Sequence, residues 1–173
     1  QRERPQGEIH LSEHVLLYRR YDRFYFAPPL DARVLADEYP LNIPGVTEIS
    51  ALNIRIEAHF RPVNLLPLEP PSRFIAEFDA DRAGRTVTVR TRREGDVMIP
   101  LGMKGVKKIK KILQEKRIPL EQRGRIPLIC FDRDIAWVVG CCVSNSYRLG
   151  PDTQNVLRIT VQPLAEKWNS HEK

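Results

Sequence analysis

Lys104-Gly105-Val106-Lys107-Lys108-Ile109-Lys110-Lys111-Ile112-Leu113-Gln114-Glu115-Lys116-Arg117-Ile118-Pro119 holds the clearest helical period of the chain and its densest positive charge. At about 100° per residue, Val106, Ile109, Ile112 and Leu113 cluster within about 120°. Lys104, Lys107, Lys108 and Lys111 fall on the opposite face, with Lys110 on the flank. Gly105 opens the expected helix, and Pro119 ends it by restricting Ile118. Pro119 also suits the first turn of a second short helix through Arg123, with Gly124 as its stop. The rest of the chain reads as strands. The expected fold class is therefore α+β: mostly short antiparallel β-strands with one basic amphipathic helix and a second short helix.

Working toward the N-terminus, Thr86 to Thr91 and Phe74 to Phe78 read as strands with a turn at Ala83-Gly84. Pro62, Pro67, Pro70 and Pro71 stiffen a connector before them. Leu52, Ile54, Ile56, Ala58 and Phe60 alternate with Arg55, Glu57 and His59, the pattern of a half-buried strand. Pro44-Gly45 marks a turn between Tyr39–Ile43 and Val46–Ile49. His14–Tyr18 and Arg23–Phe26 flank Arg19-Arg20-Tyr21-Asp22 as a hairpin. Toward the C-terminus, Leu128–Phe131, Ile135–Val143 and Val156–Val161 are strand-like, with Asp132-Arg133-Asp134 as a tight turn. This divides the chain into a polar tail (1–12), a β-rich segment ending in the Pro-rich connector (13–72), a domain holding the basic block (73–163) and a polar tail (164–173).

Twelve of the 28 Lys and Arg residues, but only four of the 22 acids, lie between Arg90 and Arg125. Elsewhere sixteen cations face eighteen acids, so the formal net charge of +6 originates in that one block. Solubility alone asks for charge of mixed sign spread over the surface. Five lysines from Lys104 to Lys111 against Glu115 repel one another until a counter-charge arrives. The block points to a polyanion. A membrane-lying helix would carry Trp, Phe or Leu on its apolar side, and no apolar run approaches the ~18 residues of a span. Few aromatics interleave the block, which disfavours stacking on single strands and favours phosphate contact along an A-form stem. Lys104, Lys107, Lys108 and Lys111 are the first candidates, Arg117 and Arg123 the second, with Arg92 and Arg93 beside them.

Catalytic constellations are absent from these residues. There is no glycine-rich phosphate loop, no HExxH and no GxSxG. Ser144 and Ser146 have no nearby His to activate them. Asp79 and Asp81 read as a strand end that caps a turn. Cys130, Cys141 and Cys142 form no CxxC, and His10, His14, His59 and His171 are scattered, so no metal site is expected. The thiols read as reduced and buried, as in a cytoplasmic protein. Gln1 to Gly7 lacks the apolar region of a secretion signal. A polar start without Met reads as part of a longer chain.

Arg90-Thr91-Arg92-Arg93-Glu94-Gly95-Asp96, Pro100-Leu101-Gly102-Met103-Lys104-Gly105, Lys107-Lys108-Ile109-Lys110, Ile118-Pro119, Arg123, Pro127-Leu128 and Ile135-Ala136-Trp137-Val138-Val139-Gly140 follow in order. Pro151-Asp152-Thr153 and Val156-Leu157-Arg158-Ile159 continue the series. The series resembles the C-terminal domain of the bacterial tRNA(Ile)-lysidine synthetase family, over about Phe78 to Ile159. The resemblance implies a tRNA-binding domain that grips the acceptor stem. It implies a full-length ligase that uses ATP and Mg to join lysine to the wobble cytidine of the CAU anticodon of tRNA(Ile). That chemistry belongs to an N-terminal PP-loop domain with an SGGxDS motif, which these residues do not contain, so no cofactor and no catalytic residue is expected in this stretch. One departure is local: where the family commonly has basic residues after Gly-Asp, this chain has Val97-Met98-Ile99. Arg92 and Asp96 are read either as an ion pair or as a contact and its neighbour.

Two other classes remain open to the sequence. One is a DNA-binding helix-turn-helix made from residues 104–123, although a recognition helix mixes Asn, Gln and Arg toward base edges. The other is a docking module for an acidic protein, including a second copy of the same chain as a homodimer.

Overall fold

Alternating apolar residues build most of the molecule, and fourteen strands are found among residues 6–12, 15–20, 23–27, 37–63 and 72–164, which the computed structural model describes. The first three, β1 (Gln6–Ser12), β2 (Val15–Arg20) and β3 (Arg23–Ala27), form an antiparallel meander in that order. The expected hairpin is β2–β3, running from Leu16↔Ala27 to Arg20↔Arg23. The expected polar tail is corrected: Gln6–Ser12 pairs with β2 from Gln6↔Arg20 to Ser12↔Val15. Ile9 and Leu11 alternate there with Glu8, His10 and Ser12, a short pattern that needs its neighbour's hydrogen bonds to become a strand.

Two larger sheets follow. One has the order β5-β6-β14-β7, from β5 (Gly45–Ile49), β6 (Ile54–Pro62), β14 (Asn155–Pro163) and β7 (Ile75–Asp79). The other has the order β13-β12-β11-β8-β4, from β13 (Cys142–Val143), β12 (Asp134–Val138), β11 (Leu128–Phe131), β8 (Val87–Arg90) and β4 (Tyr39–Pro40). Tyr39 and Val46 thus flank Pro44-Gly45 as expected but enter different sheets. The expected boundary at residue 72 is also corrected. β6 pairs with β14 over nine positions, Asn155↔Pro62 to Pro163↔Ile54, so residues on both sides share one sheet. The Pro-rich connector at 64–71, Pro28-Pro29 and the tail from 165 lie outside the described residues.

The two sheets pack face to face. Ile56, Ala58, Phe78, Leu157 and Ile159 of one meet Val89, Ile129, Phe131 and Trp137 of the other. Alternation sends Leu128, Cys130 and Val138 through to the far side of the five-stranded sheet. There they meet α1 (Ile109–Glu115), whose Ile109, Ile112 and Leu113 are buried. β11 is consequently buried on both faces. A bulge between Ile129 and Cys130 shifts the β11–β12 register, setting Ile129 against Trp137 and Cys130 against Ile135.

Asp132, at the β11–β12 turn, ties the start of β8 to that turn. Its Oδ1 accepts from Arg85 N (3.1 Å), Thr86 N (3.0 Å) and Thr86 Oγ1 (3.0 Å). These hydrogen bonds, Thr86's first, hold its carboxyl below the usual range. Gly84 has φ +76°, and a Cβ there would lie 2.2 Å from Asp132 Oδ2, so any side chain is strained and displaces the Asp132 carboxylate from its hydrogen bonds. Asp79 ends β7 as expected. Its Oδ1 accepts from Asp81 N at 3.1 Å and its Oδ2 from Thr153 Oγ1 at 2.8 Å.

Candidate nucleic-acid interface

The basic block is shorter as a helix than its period suggests. Lys107-Lys108 is a strand (β10) paired with β9 (Val97–Met98), and α1 starts only at Ile109, whose N donates to Asp96 O at 2.9 Å. Lys104, Gly105 and Val106 therefore lie on the hairpin between β9 and β10, and Val106 is 65% exposed rather than on the buried face. The helical wheel ran on through Val106 because apolar spacing cannot distinguish a helix from a short ladder leading into one. The second helix, α2 (Leu120–Arg123), follows N-cap Pro119 and ends at Gly124, as expected.

The end of α1 is unusual. Arg117 has φ +55°. Its N donates to Gln114 O and Ile118 N donates to Leu113 O, both at 3.0 Å. This is the left-handed C-terminal cap in which glycine is the usual occupant. Here an arginine takes the position, and its side chain lines an open cleft with Lys108, Lys110, Lys111, Gln114 and Glu115. Four cations face one carboxylate in that cleft. Lys110, expected on the flank, belongs to it; the spacing of Lys110, Gln114 and Arg117 was the available signal.

Other members of the block are engaged internally. Lys107 pairs with Glu115, and that hydrogen bond holds the Glu115 carboxyl below its usual range, with Lys111 adding a weaker attraction. Lys107 is thus less available than Lys108. Arg123 Nε donates to Ile118 O at 2.9 Å, clasping the turn between the helices. Lys104 stands exposed on the hairpin. Arg93 is half exposed, with Nη1 3.6 Å from Glu38 Oε1. Arg92 is half-buried in the same turn.

Of the two readings of Arg92 and Asp96, the ion pair is not found: Asp96 pairs with Arg90 instead. It forms a two-pronged pair with Arg90, at 2.7 and 2.9 Å, and accepts from Arg93 N at 2.7 Å. Arg92 is not its partner. Arg90 leaves β8 on the α1 side, opposite Leu128, and is only 6% exposed. Burial, the largest single influence, opposes the Arg90 charge, but the Asp96 hydrogen bonds together with the attraction of Cys130, Asp96 and Glu38 outweigh it and hold the guanidinium still more firmly protonated. Glu38 Oε1 adds a contact to Arg90 Nε at 3.5 Å. This cluster fixes the Arg92–Arg93 turn against the first residue of α1. The structure therefore brings Arg92, Arg93, Lys104, Lys108, Lys111 and Arg117 onto adjoining segments, and assigns Lys107 and Arg123 to internal contacts.

Thiol chemistry is muted here. Burial pushes the Cys130 and Cys142 thiols up to about 11, and Cys142 Sγ lies 3.8 Å from Met98 Sδ in the second core cluster. No group of three His, Cys, Asp or Glu that could hold a metal occurs among the described residues. None of their helices is long and apolar enough to cross a membrane.

Comparison with known proteins adds a lineage. Residues 87–160 match the family model described as TilS substrate C-terminal domain. A tRNA(Ile)-lysidine synthase from Clostridium acetobutylicum is 31% identical over 160 residues, covering 90% of this chain and 34% of the relative. Another from Symbiobacterium thermophilum is 33% identical over 163 residues, covering 91% and 34%. A solved structure described as a TILS C-terminal domain superposes with TM-score 0.64 at 25% identity, over 74% of this chain and 97% of that one. The chain spans about a third of the length of the curated relatives it matches.

Proposed function

Because this chain belongs to the tRNA(Ile)-lysidine synthase family as its C-terminal region, we propose that it grips the tRNA(Ile) acceptor stem while lysine is joined to the wobble cytidine elsewhere. The observation that carries this is the cleft of Lys108, Lys110, Lys111 and Arg117, four cations facing one carboxylate on the solvent side of α1. Phosphates supply the missing counter-charge. Several rigidly linked segments holding cations at fixed spacing suit a regular stem read by shape. ATP, Mg and lysine are assigned to the PP-loop domain of the full-length ligase.

The helix-turn-helix reading loses support from the geometry. α2 has four residues, about one turn, too short to lie along a major groove.

The test is the salt dependence of binding to a tRNA(Ile) transcript. In a variant with Lys108, Lys111 and Arg117 all changed to Ala, the log–log slope is expected to flatten by about two units, at roughly 0.7–0.9 per phosphate contact. An unchanged slope would remove the cleft from the interface. Lys107→Ala is expected to flatten it less, because Glu115 already occupies that ammonium.

Arg117 separates binding from folding. Glycine at its left-handed position relieves a backbone strain of about 1 kcal/mol. Arg117→Gly is therefore expected to raise the urea midpoint while weakening tRNA binding. A variant that loses both stability and affinity would mean that Arg117 serves the fold alone.

A further inference from the structure

The β9–β10 hairpin has an apolar outer face that neither the fold nor the cationic cleft accounts for. Val97 is 44% exposed, Leu101 53%, Met103 44% and Val106 65%. Across the ladder Val97 faces Lys108 and Met98 faces Lys107. Alternation puts Met98 into the core and leaves Val97, Val106 and Lys108 on the outer side. The tip is rigid. Met103 N donates to Pro100 O at 2.9 Å across a turn whose third residue, Gly102, has φ +78°, the conformation that position requires. Leu101 N donates to Val143 O and Asn145 N to Ile99 O, at 2.9 and 2.8 Å. Leu101 and Met103 are thus held outward by a braced turn. Lys108 joins this face to the cleft, since it belongs to both.

We infer that the hairpin caps the open end of an RNA stem, laying Val97, Leu101, Met103 and Val106 on the exposed face of the terminal base pair while the α1 cleft holds the adjacent phosphates. This rests on the tRNA-binding reading. The occupant follows from continuity and charge. A surface joined through Lys108 to a phosphate-binding cleft meets the same polyanion. Along an A-form stem the bases are stacked, and mainly phosphates, hydroxyls and base edges face outward. At a stem end, by contrast, the terminal base pair offers a broad apolar face whose burial rewards aliphatic side chains.

The experiment compares two RNA probes of one stem sequence, an open-ended duplex and the same stem closed by a loop at each end, against the 173-residue chain. The open duplex is expected to bind about ten-fold more tightly. The double variant Leu101→Ser and Met103→Ser is expected to abolish that preference without changing the salt slope or the thermal midpoint. Val97→Thr with Val106→Thr, which keeps strand-forming shape, is expected to reduce it. Equal binding of both probes by the unaltered chain would overturn the inference, and so would a preference that survives the Ser substitutions. If the cleft reading itself is wrong, the Lys108, Lys111 and Arg117 variant keeps the parent salt slope, which distinguishes that failure from this one.

Discussion

Replacing Asp96 with Ala is expected to destabilise the chain by about 3–5 kcal/mol, because it strands a buried guanidinium. Arg90 is buried on the face of its sheet that also carries Leu128, and it donates to both carboxylate oxygens of Asp96. Glu38 reaches only its Nε, at 3.5 Å, and is itself half exposed. No other carboxylate contacts that guanidinium among the described residues. The same substitution frees the Arg93 amide that Asp96 caps. It thereby loosens the turn whose Asp96 carbonyl receives the first amide of α1. Urea unfolding at neutral pH measures the loss. Adding Arg90→Met to Asp96→Ala is expected to recover much of it, since removing both charges leaves no unpaired ion. If the double variant is no more stable than the single one, the damage comes from the turn and not from the stranded charge.

Phe131→Ala is expected to cost about 3–5 kcal/mol as well, by opening a cavity between the sheets. Phe131 meets Phe78 edge-to-face at 5.0 Å and Tyr147 at 4.8 Å. Both partners are buried in the same cluster. Tyr147 also donates to Asp134 at 3.3 Å, and burial pushes its phenol up to about 12. The ring thus links β11, β7 and the segment after β13. Phe131→Leu retains most of the volume and is expected to lose less than half as much. Denaturant midpoints with unchanged m-values establish that both act on the packed state. A loss below about 1 kcal/mol for the alanine variant would show that the sheets close over the gap.

Strand-rich architecture was legible wherever an alternating or continuous apolar run met a turn signal. Leu128–Phe131, Ala83-Gly84 and the Arg19–Asp22 hairpin are examples. Partnership was not legible. Nothing local in Leu52–Phe60 indicates that β6 pairs with β14 across roughly a hundred residues, so the segment up to residue 72 reads as separate when it is not. The basic block was readable as charge and only partly as geometry. Ile109, Ile112 and Leu113 announce the buried stripe, while the start of α1 depends on Asp96 and the β9 ladder. Arg90 and Lys107 look in the sequence like the other cations. Their neutralisation depends on which acids the fold delivers to them. Arg117 carries no local sign of its left-handed conformation, which Ile118 and Leu113 impose by closing the helix end.

The middle position of β14 between β6 and β7 has a consequence for how this chain is made. A ribosome releases β6 and β7 long before the strand that joins them, so both wait with open edges until Pro163 emerges. A transcript cut short before Asn155 would yield a chain whose sheet never closes and whose inner face stays wet. Such a product is expected to be cleared by cellular proteases, so only translation products completed through this strand accumulate as folded chain.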